Sequence, residues 1–461
     1  MINHCVDHDD HQRHLSGLAD SPRAAEALNR ECLCNTLDPE RLREHLDTAP
    51  SLQGMTRTLE QTHPHLFSKT AVFLDAAAYA TLERSIAAIE RVVALPAYRH
   101  RALQKSSTVA AQDFGPTGVF MGYDFHVGTH GPRLIEINTN AGGALLNTAL
   151  ASAQGDCCGS VGPPQHPWGN SAHLDSVFMD MFRCEWQSQR GNQALRTVLI
   201  IDDMPTTQFL APEFELTRQL FQNHGLLALI ADPQELDWRN GALWHPALPS
   251  NLPVDLVYNR LTDFDLSDPT HSALRAAYVS GATVVTPNPR AHALLAHKSN
   301  LITLSDDVLL ADWGVDAGDR ALLQSVVPNT VTVTPATADA LWDQRRDLFF
   351  KPAAGYGAKA AYRGDKLTRR VWADIVAGDF IAQSLVPPGE RLVDVAGLPT
   401  LLKHDIRAYS YRGDVQLLAA RTYRGQTTNM RTPGGGFSPV LVVPSPTSTR
   451  RVRIANPAAS A

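Results

Sequence analysis

The segment from Gly122 to Gly143 reads GYDFHVGTHGPRLIEINTNAGG and is the most informative part of the sequence. Its central GTHGP segment has turn composition, and apolar residues alternate with polar ones on both sides, which predicts a β-hairpin. A hairpin centred on His130 places Asp124 directly opposite Glu136, with their Cβ atoms about 5 Å apart. Asn138 lies two residues beyond Glu136 and therefore on the same face. The pattern predicts a polar cluster on one face of the hairpin.

The other face of this hairpin has the composition of a core. Tyr123, Phe125, Val127, Ile135 and Ile137 alternate with the polar cluster, which predicts a buried side. Facing carboxylates destabilise a sheet unless a cation neutralises them, and Mg²⁺ is bound through one or two carboxylates together with substrate phosphates. An exposed face with solvated acids fits the same spacing. The NAGG glycines favour the metal interpretation, because they let a backbone approach a ligand closely.

The composition of the chain limits the other classes of function. A length of 461 residues predicts two or three domains, and 44% hydrophobic against 19% charged residues suits globular cores. The 41 Lys and Arg residues against 47 Asp and Glu argue against a nucleic-acid binder, which needs a concentrated basic footprint. No apolar run approaches the roughly 20 residues of a membrane span, and the N-terminus lacks an apolar signal region. We therefore expect a cytoplasmic protein that binds neither nucleic acid nor membrane.

Hydrophobic periodicity predicts a helical, an α/β and an α+β region in that order. The segment Ala76–Val93 has helical spacing, strands alternate with helices between 197 and 286, and turn-separated strands follow residue 335. The expected divisions are a helical N-terminal region (1–112), the hairpin (113–150), a connection of loop and helix (151–195), an α/β domain (196–300), an α+β domain (301–443) and a flexible tail (444–461).

The cysteines and the N-terminal histidines carry weaker signals. Six cysteines without a CxxC spacing predict neither a disulfide scaffold nor a zinc site. The start MINHCVDHDDHQRH could bind a metal, but a frayed polar terminus is the simpler interpretation. Cys157 and Cys158 follow the hairpin, where they either line an acceptor pocket or belong to a plain loop.

Two basic motifs in the later part of the chain suit phosphate binding. Lys351 ends the strand-like FFKP and precedes a loop in which Gly355 and Gly357 free backbone N–H groups, with Lys359 beside them. A lysine at a strand end supplies a point charge for phosphate oxygens. Lys298, which follows a helical stretch, is the second candidate, although a surface lysine without a ligand would look the same.

Taken together, these motifs resemble those of ATP-grasp ligases such as D-alanine–D-alanine ligase and glutathione synthetase. LIEINTNAGG, with an acid twelve residues before its Glu, is similar to the magnesium-binding end of that family. The resemblance implies that Asp124, Glu136 and Asn138 hold two Mg²⁺ ions, with Mn²⁺ as the alternative metal, that bridge the phosphates of ATP. Lys403 to Gly436 is similar to the glutathione synthetase-like pattern of Asp-x-Arg, a second Arg, and Asn before a glycine cluster.

The resemblance also implies roles for the remaining candidates. The strand IAQSL would offer backbone hydrogen bonds to adenine, and the glutamate that follows it would bind ribose or be an ordinary loop residue. The residues implied for ATP are Lys298, Lys351, Gly355, Gly357, Lys359, Gln383, Leu385, Glu390 and Asp405. Those implied for the transferred phosphoryl group and the acyl phosphate are Arg407, Arg421 and Asn429.

The order of the motifs differs from that of most ATP-grasp enzymes, in which the hairpin follows the glycine cluster. Here the hairpin comes first, as in the circularly permuted group that includes relatives of glutathionylspermidine synthase. The resemblance therefore implies a circularly permuted ATP-grasp fold with a preceding Rossmann-like α/β domain, the pre-ATP-grasp domain, over 196–300. It also predicts that Asp124 and Glu136 lie beside Lys351 and Arg407.

The activity that this resemblance implies is that of an ADP-forming ligase. ATP and Mg²⁺ would activate a small-molecule carboxylate as an acyl phosphate, which an amine or a thiol attacks to form an amide or peptide-like bond, with release of ADP and phosphate. An ATP-binding protein without turnover stays open, as does a homo-oligomer. A signalling receiver domain, suggested by LIIDD, lacks its phosphoacceptor because Asn259 ends the later strand. A nicotinamide dehydrogenase is disfavoured because no GxGxxG follows the first strand of the 197–290 region.

Overall fold

The computed structural model describes residues 24–48, 52–155, 169–355 and 360–444. Gly357, Lys359, Cys157, Cys158, the histidine-rich terminus and residues 445–461 of the expected tail lie outside these ranges. The strands are β1 Val72–Asp75, β2 Met121–Gly128, β3 Gly131–Asn138, β4 Thr197–Ile201, β5 Leu227–Ala231, β6 Asp237–Arg239, β7 Ala242–Trp244, β8 Leu256–Asn259, β9 Val284–Thr286, β10 Thr330–Thr332, β11 Leu348–Pro352, β12 Tyr362–Arg363, β13 Phe380–Ser384, β14 Gly389–Val395, β15 Leu398–Tyr411, β16 Asp414–Tyr423 and β17 Gly436–Val443.

The helices cover the faces and ends of the sheets that these strands form. They are α1 Ala24–Glu31, α2 Pro39–Leu46, α3 Met55–Thr62, α4 Ala76–Val93, α5 Pro96–Leu103, α6 Ala144–Ser152, α7 Ser171–Arg190, α8 Ala211–Asn223, α9 Ser272–Val279, α10 Pro289–Ala291, α11 Asn300–Leu304, α12 Asp307–Asp312, α13 Ala317–Val326, α14 Ala338–Asp343 and α15 Arg369–Ala377. A π-helical turn, His292–Ala296, follows α10. Among the described residues, no helix combines the length and the apolarity that crossing a membrane requires.

The largest sheet contains the hairpin that the sequence predicts. Its seven strands run in the order β1-β17-β16-β15-β2-β3, and β14 pairs with the first half of β15. The hairpin of β2 and β3 is antiparallel to β15, so residues 121–138 share one sheet with residues 389–443. Two segments that are far apart in sequence therefore form a single continuous surface.

The N-terminal region is less purely helical than predicted. Val72–Asp75 forms β1, which pairs in parallel with β17 at the edge of the large sheet. The Asn29 side chain donates to the carbonyl oxygen of Phe73 at 2.8 Å and accepts from its N–H at 2.9 Å, which satisfies the free edge of β1. The expected helix Ala76–Val93 forms with the predicted bounds. A four-residue strand directly before a helix leaves little periodicity to recognise.

A separate four-stranded sheet forms from the region with alternating strands and helices. Its order is β5-β4-β8-β9 and all its pairs are parallel, as the alternation predicts. Along β4, Val198 and Ile200 pack into the main core, while Leu199 and Ile201 pack into a second cluster on the other face. Burial on both faces explains why this strand is a continuous apolar run.

The third sheet carries one of the predicted phosphate lysines. Its strands are antiparallel in the order β10-β13-β11-β12, as expected for the region after residue 335. Trp372 and Ile375 of α15 cover one face of this sheet, where they pack in one cluster with Phe350 of β11. Lys351 follows Phe350 on β11 and points to the opposite face, because side chains alternate along a strand.

Candidate active site

The two predicted acids of the hairpin are paired, but the strand register that pairs them differs from the one the spacing predicted. Asp124 is paired with Glu136, as predicted, but the turn is a two-residue one closed by Gly128 and Gly131. The register shifts between Asp124 and Phe125, so that Ile135 is the extra residue of a β-bulge. The expected centre at His130 is therefore wrong, and the bulge restores the pairing of the two acids.

The same bulge changes which residues form the buried face. Leu134 is fully buried and pairs with Phe125, whereas Ile135, predicted as core, lines a cavity on the opposite side. The reason is that one inserted residue reverses the alternation locally. The Ile135 carbonyl oxygen accepts a hydrogen bond from Lys351 Nζ at 2.7 Å, which joins the hairpin to the third sheet.

Asp124 is held by two arginines, one from the neighbouring strand β15 and one from the next strand, β16. Arg407 lies opposite Asp124 in the sheet and donates from Nε to Oδ1 and from Nη2 to Oδ2, each at 2.7 Å. Arg421 donates from Nη2 to the same Oδ2 at 2.8 Å and from Nε to Asp405 Oδ1 at 2.7 Å. Bidentate pairing of this kind fixes the position of each guanidinium as well as its charge.

The charge of Asp124 follows from these contacts. Burial by itself would raise the pKa of this carboxyl, but the charges of Arg407 and Arg421 outweigh it and lower the pKa to about 2. The carboxylate is therefore ionised at neutral pH, and both guanidinium groups stay charged beside it. The cluster is a preformed set of positive groups, held in place by fixed negative ones.

Asn138 completes the polar face of the hairpin. Its Nδ2 donates to Asp124 Oδ2 at 3.1 Å and to Glu136 Oε1 at 3.3 Å, so the three predicted metal ligands are mutual neighbours. In the described residues, no group of three or more His, Cys, Asp and Glu side chains is placed to hold a metal ion. The donor set of two carboxylates and one amide oxygen nevertheless fits Mg²⁺, which is bound by one or two carboxylates when phosphates supply further ligands.

The two predicted phosphate lysines face the same space as the hairpin. Lys351 is buried, and its Nζ donates to Gln383 Oε1 at 2.9 Å as well as to Ile135. Burial lowers the pKa of Lys351 to about 8, against the opposing influence of Glu136. Lys298 donates from Nζ to the carbonyl oxygen of Gly355 at 2.7 Å, which ties it to the start of the predicted phosphate loop.

The residues predicted for adenine and ribose differ in detail from expectation. Gln383 lies on a strand that is paired on both sides, so its side chain, and not its backbone, can bind a ligand. The buried Nε2 of this side chain has no hydrogen-bond partner in the structure. The N–H of Leu385 donates to the carbonyl oxygen of Asp347 at 2.8 Å instead of facing the cavity. Glu390 forms an exposed ion pair with Arg30 at 2.9 Å.

Asn429 organises the loop that precedes the glycine cluster. Its Nδ2 donates to the carbonyl oxygen of Arg424 at 2.8 Å, and its Oδ1 accepts from the Thr432 hydroxyl at 3.0 Å. The neighbouring Thr428 hydroxyl donates to Asp405 Oδ2. This loop is therefore fastened directly to the Asp405–Arg421 pair.

The predicted site residues that the structure describes line one cavity of about 660 Å³. Its volume lies within the range of small-molecule and cofactor sites. The juxtaposition of Asp124 and Glu136 with Lys351 and Arg407, predicted from the sequence, is confirmed. Every predicted site residue within the described ranges lines the cavity: Asp124, Glu136, Asn138, Lys298, Gly355, Lys351, Gln383, Leu385, Glu390, Asp405, Arg407, Arg421 and Asn429.

Several further residues line the same cavity, although none of the motifs indicated them. His126 lies two residues after Asp124 and its Nδ1 contacts the carbonyl oxygen of Val386 at 2.7 Å, a position that strand alternation could have indicated. Phe264 and His292 also line the cavity. Neither had a signal, because they come from a loop and from the π-helical turn.

Comparison with solved structures agrees with this architecture. A glutathione synthetase-like effector from Globodera pallida, in its apo form, superposes with a TM-score of 0.52 over 89% of this chain and 100% of its own, at 12% identity. The chain has an ATP-grasp fold. At such low identity the likeness concerns the fold and no residue roles.

Two further solved structures superpose with lower TM-scores. A γ-glutamylcysteine synthetase-like protein from Methylobacillus flagellatus gives a TM-score of 0.44 at 12% identity, over 77% of this chain and 85% of its own. The ATP-grasp ligase PsnB, in complex with a precursor variant, Mg and ADP, gives 0.29 at 15% identity, over 56% and 91%. At the level of sequence, neither a family model nor a curated protein matches the chain.

Within this ATP-grasp fold, the NAGG glycines pack against protein. The carboxylate of Glu213 accepts from the N–H of Gly143 at 2.7 Å and from that of Leu145 at 3.1 Å, so it caps the start of α6. A side chain at Gly142 would collide with Leu210 and Arg260. Gly142 thus makes room for residues at the start of α8 and Gly143 for the ring of Phe437, while Gly142 also lines the cavity, so a close approach of this backbone to a ligand stays a prediction.

Proposed function

We propose that this protein is an ATP- and Mg²⁺-dependent ligase that joins a small-molecule carboxylate to an amine or a thiol through an acyl phosphate, with release of ADP and phosphate. The observation that carries the proposal is the convergence of Lys298, Lys351, Arg407 and Arg421 on one cavity with the acids of the hairpin. These groups come from three sheets or loops, and such a collection of opposite charges suits phosphoryl transfer more than simple binding.

The chain's own residues would act chiefly by position and charge. Lys351 and Lys298 would hold phosphate oxygens, and the guanidinium groups of Arg407 and Arg421 would face the negative charge that develops as the carboxylate takes the phosphoryl group. Because Asp124 and Asp405 already fix both guanidinium groups, little reorganisation is needed when that charge appears. The amine or thiol then displaces phosphate from the acyl carbon and gives up a proton.

Mg²⁺ bound with the nucleotide would neutralise the phosphate oxygens, and the residues that would hold it are Asp124, Glu136 and Asn138. Both oxygens of Asp124 already accept from arginines, so Glu136 is the carboxylate with more freedom to take up a ligand. Gln383 Nε2, which is buried without a partner, would donate to the nucleotide.

We also propose that the hairpin of 113–150 corresponds to the C-terminal hairpin of unpermuted ATP-grasp enzymes, and that residues 196–300 are the pre-ATP-grasp domain. The pairing of β2 with β15 and the separate parallel sheet support this division. Circular permutation would explain why the acids precede the lysines in sequence.

The decisive experiment measures Mg·ATP binding by calorimetry and ADP release with amino acids, short peptides and polyamines as substrates. We expect binding, and release that depends on an added substrate. Glu136→Ala should abolish release, whereas Glu215→Ala, on the surface of α8, should not. Binding without stimulated release across the panel would favour the alternative of an ATP-binding protein without turnover. Full turnover by Glu136→Ala would contradict the metal assignment.

A further inference from the structure

The cavity extends past the hairpin into a region that the proposed function leaves unassigned. The chain leaves β3 at Asn138 and lines this extension with Thr139 and Asn140. The Thr139 hydroxyl contacts His292 Nδ1 at 3.3 Å, and Asn140 Nδ2 donates to the carbonyl oxygen of Leu261. We call this extension the apolar end, and its walls are Phe209, Leu210, Thr262, Phe264 and His292.

Aromatic rings form the firmest part of the apolar end. The rings of Phe264 and His292 stack with centroids 3.7 Å apart and planes 7° apart. Phe209, which is 44% exposed, meets the ring of His63 edge to face at 4.6 Å. Stacked rings of this kind present a flat apolar surface, and the exposed Phe209 leaves apolar area for a ligand to cover.

The apolar end also differs from the rest of the cavity in charge. None of the five walls of the apolar end is a lysine, an arginine or a carboxylate, and of the charged residues that line the cavity Lys298 is the one whose charge reaches His292. Burial, with His297 and Lys298 nearby, lowers the pKa of His292 to about 3, so its ring is neutral. Behind Gly142 lie Glu213 and Arg260, and the larger, raising effect of burial on the pKa of Glu213 is opposed by the charge of Arg260, which lowers it.

We infer that the apolar end receives the side chain of the substrate that binds beside the nucleotide, whether that substrate supplies the carboxylate or the amine. This side chain is neutral and either aromatic or branched apolar. The inference rests on the proposed ligase function, because it assumes that a substrate binds beside the nucleotide. A polyamine would lose the hydration of its ammonium groups with no carboxylate among the described walls to receive them, and attraction to the ring faces, about 0.5–2 kcal/mol, offsets only part of that cost. A diacid would lack a cation. Each would bind with an uncompensated charge.

The first test compares ADP release with phenylalanine, leucine, aspartate and spermidine at saturating Mg·ATP. We expect kcat/KM for phenylalanine or leucine to exceed that for aspartate or spermidine at least tenfold. N-acetylphenylalanine and phenylalanine amide separate the two roles, because the first offers only the carboxylate and the second only the amine. A preference for spermidine or aspartate would overturn the inference while leaving the ligase function intact.

Binding measured by calorimetry in the presence of Mg·ADP decides the case without turnover. If no substrate stimulates ADP release, the ligase proposal fails, and tighter binding of phenylalanine than of spermidine would still show that the apolar end takes a neutral apolar side chain. Equal or tighter binding of spermidine would overturn it.

A charge placed in the apolar end gives a second test. Thr262 is exposed on the cavity wall, so Thr262→Glu should fold, and it should raise KM for phenylalanine at least tenfold while leaving the Kd of Mg·ATP unchanged. Thr58→Glu, on the exposed face of α3, is the matched control and should change neither. Phe264→Leu, which keeps the wall apolar but removes the stacked ring, should lower the preference for phenylalanine over leucine. Unchanged kinetics in both cavity variants would contradict the inference.

Discussion

At the scale of single residues, the charge of Asp124 is compensated by two buried guanidinium groups. Asp124→Asn would leave Arg407 without its partner and Arg421 with only Asp405. Removing one member of a buried ion pair costs roughly 3–5 kcal/mol, because the other charge is left in a poorly solvated place. We expect a loss of that size in the free energy of unfolding at about pH 7, measured with urea. Asp180→Asn, which removes an exposed pair with Arg183, should cost less than about 1 kcal/mol.

The pH dependence of this effect has a definite sign. The folded pKa of Asp124 is lowered to about 2 from an ordinary value of 3.8, so its contribution to stability is complete above about pH 4 and is lost as the pH falls toward 2. The difference in unfolding free energy between the wild type and Asp124→Asn should therefore shrink between about pH 4 and pH 2. A difference that stayed constant over this range would show that the arginines do not depend on the ionised carboxylate.

Lys351 should bind phosphate only in its charged form. Burial lowers its pKa to about 8, so Mg·ATP affinity should fall as the pH rises from about 7 to 9. Lys351→Met fills a similar volume without the charge and should weaken binding roughly 10- to 100-fold, since a charge-assisted hydrogen bond contributes about 1.5–3 kcal/mol. Its remaining affinity should not follow pH in this range. Calorimetry with the surface variant Lys69→Met as control would check this, and an unchanged Kd would refute the role.

At the scale of elements, the hairpin shows how far local sequence patterns reach. Alternation and turn composition were sufficient to predict two strands and to place Asp124 opposite Glu136. They could not show the bulge at Ile135, because an inserted residue is stabilised by a contact from another sheet, the hydrogen bond from Lys351. The strands of the parallel sheet were predictable for the opposite reason, since burial on both faces appears directly as an apolar run.

The glycine loop after the hairpin depends on a residue from another element. Glu213 on α8 accepts the N–H groups of Gly143 and Leu145, and no local pattern near the loop encodes that contact. Glu213→Gln removes the negative charge near Arg260. It also places the side-chain NH₂ group, which cannot accept a hydrogen bond, opposite one of the two backbone N–H donors. We expect a loss of about 1–3 kcal/mol in unfolding free energy, the cost of a buried polar group left unsatisfied.

The matched control for this variant lies on the same helix. Glu215 pairs with Arg218 on a more exposed face, so Glu215→Gln should change stability by no more than about 0.5 kcal/mol. Equal effects of the two substitutions would mean that the cap of α6 contributes nothing specific.

At the scale of the whole molecule, the N-terminal region is built into the large sheet. β1 is one of the edge strands of this sheet, and the fully buried Arg391 on β14 binds the N-terminal region through hydrogen bonds. Its guanidinium donates to the backbone carbonyl oxygens of Ala71, Asn29 and Cys32, and lies 5.4 Å from the ring of Phe73. Sequence patterns cannot predict such an arginine, because a charged residue in a strand is ordinarily taken as solvated.

Arg391→Met should therefore loosen a part of the protein that lies far away in sequence. Carbonyl groups left without a donor cost about 1–3 kcal/mol each, so we expect a loss of at least about 2 kcal/mol in unfolding free energy. Because the hydrogen bonds hold α1 and β1 in place, hydrogen exchange at residues 72–75 should accelerate more than exchange in β4 of the parallel sheet. Arg30→Met, which removes only the exposed pair with Glu390, is the control and should change neither measurement appreciably. If Arg391→Met left exchange at β1 unchanged, the N-terminal region would be held by its apolar contacts alone, and the buried arginine would have no part in docking it.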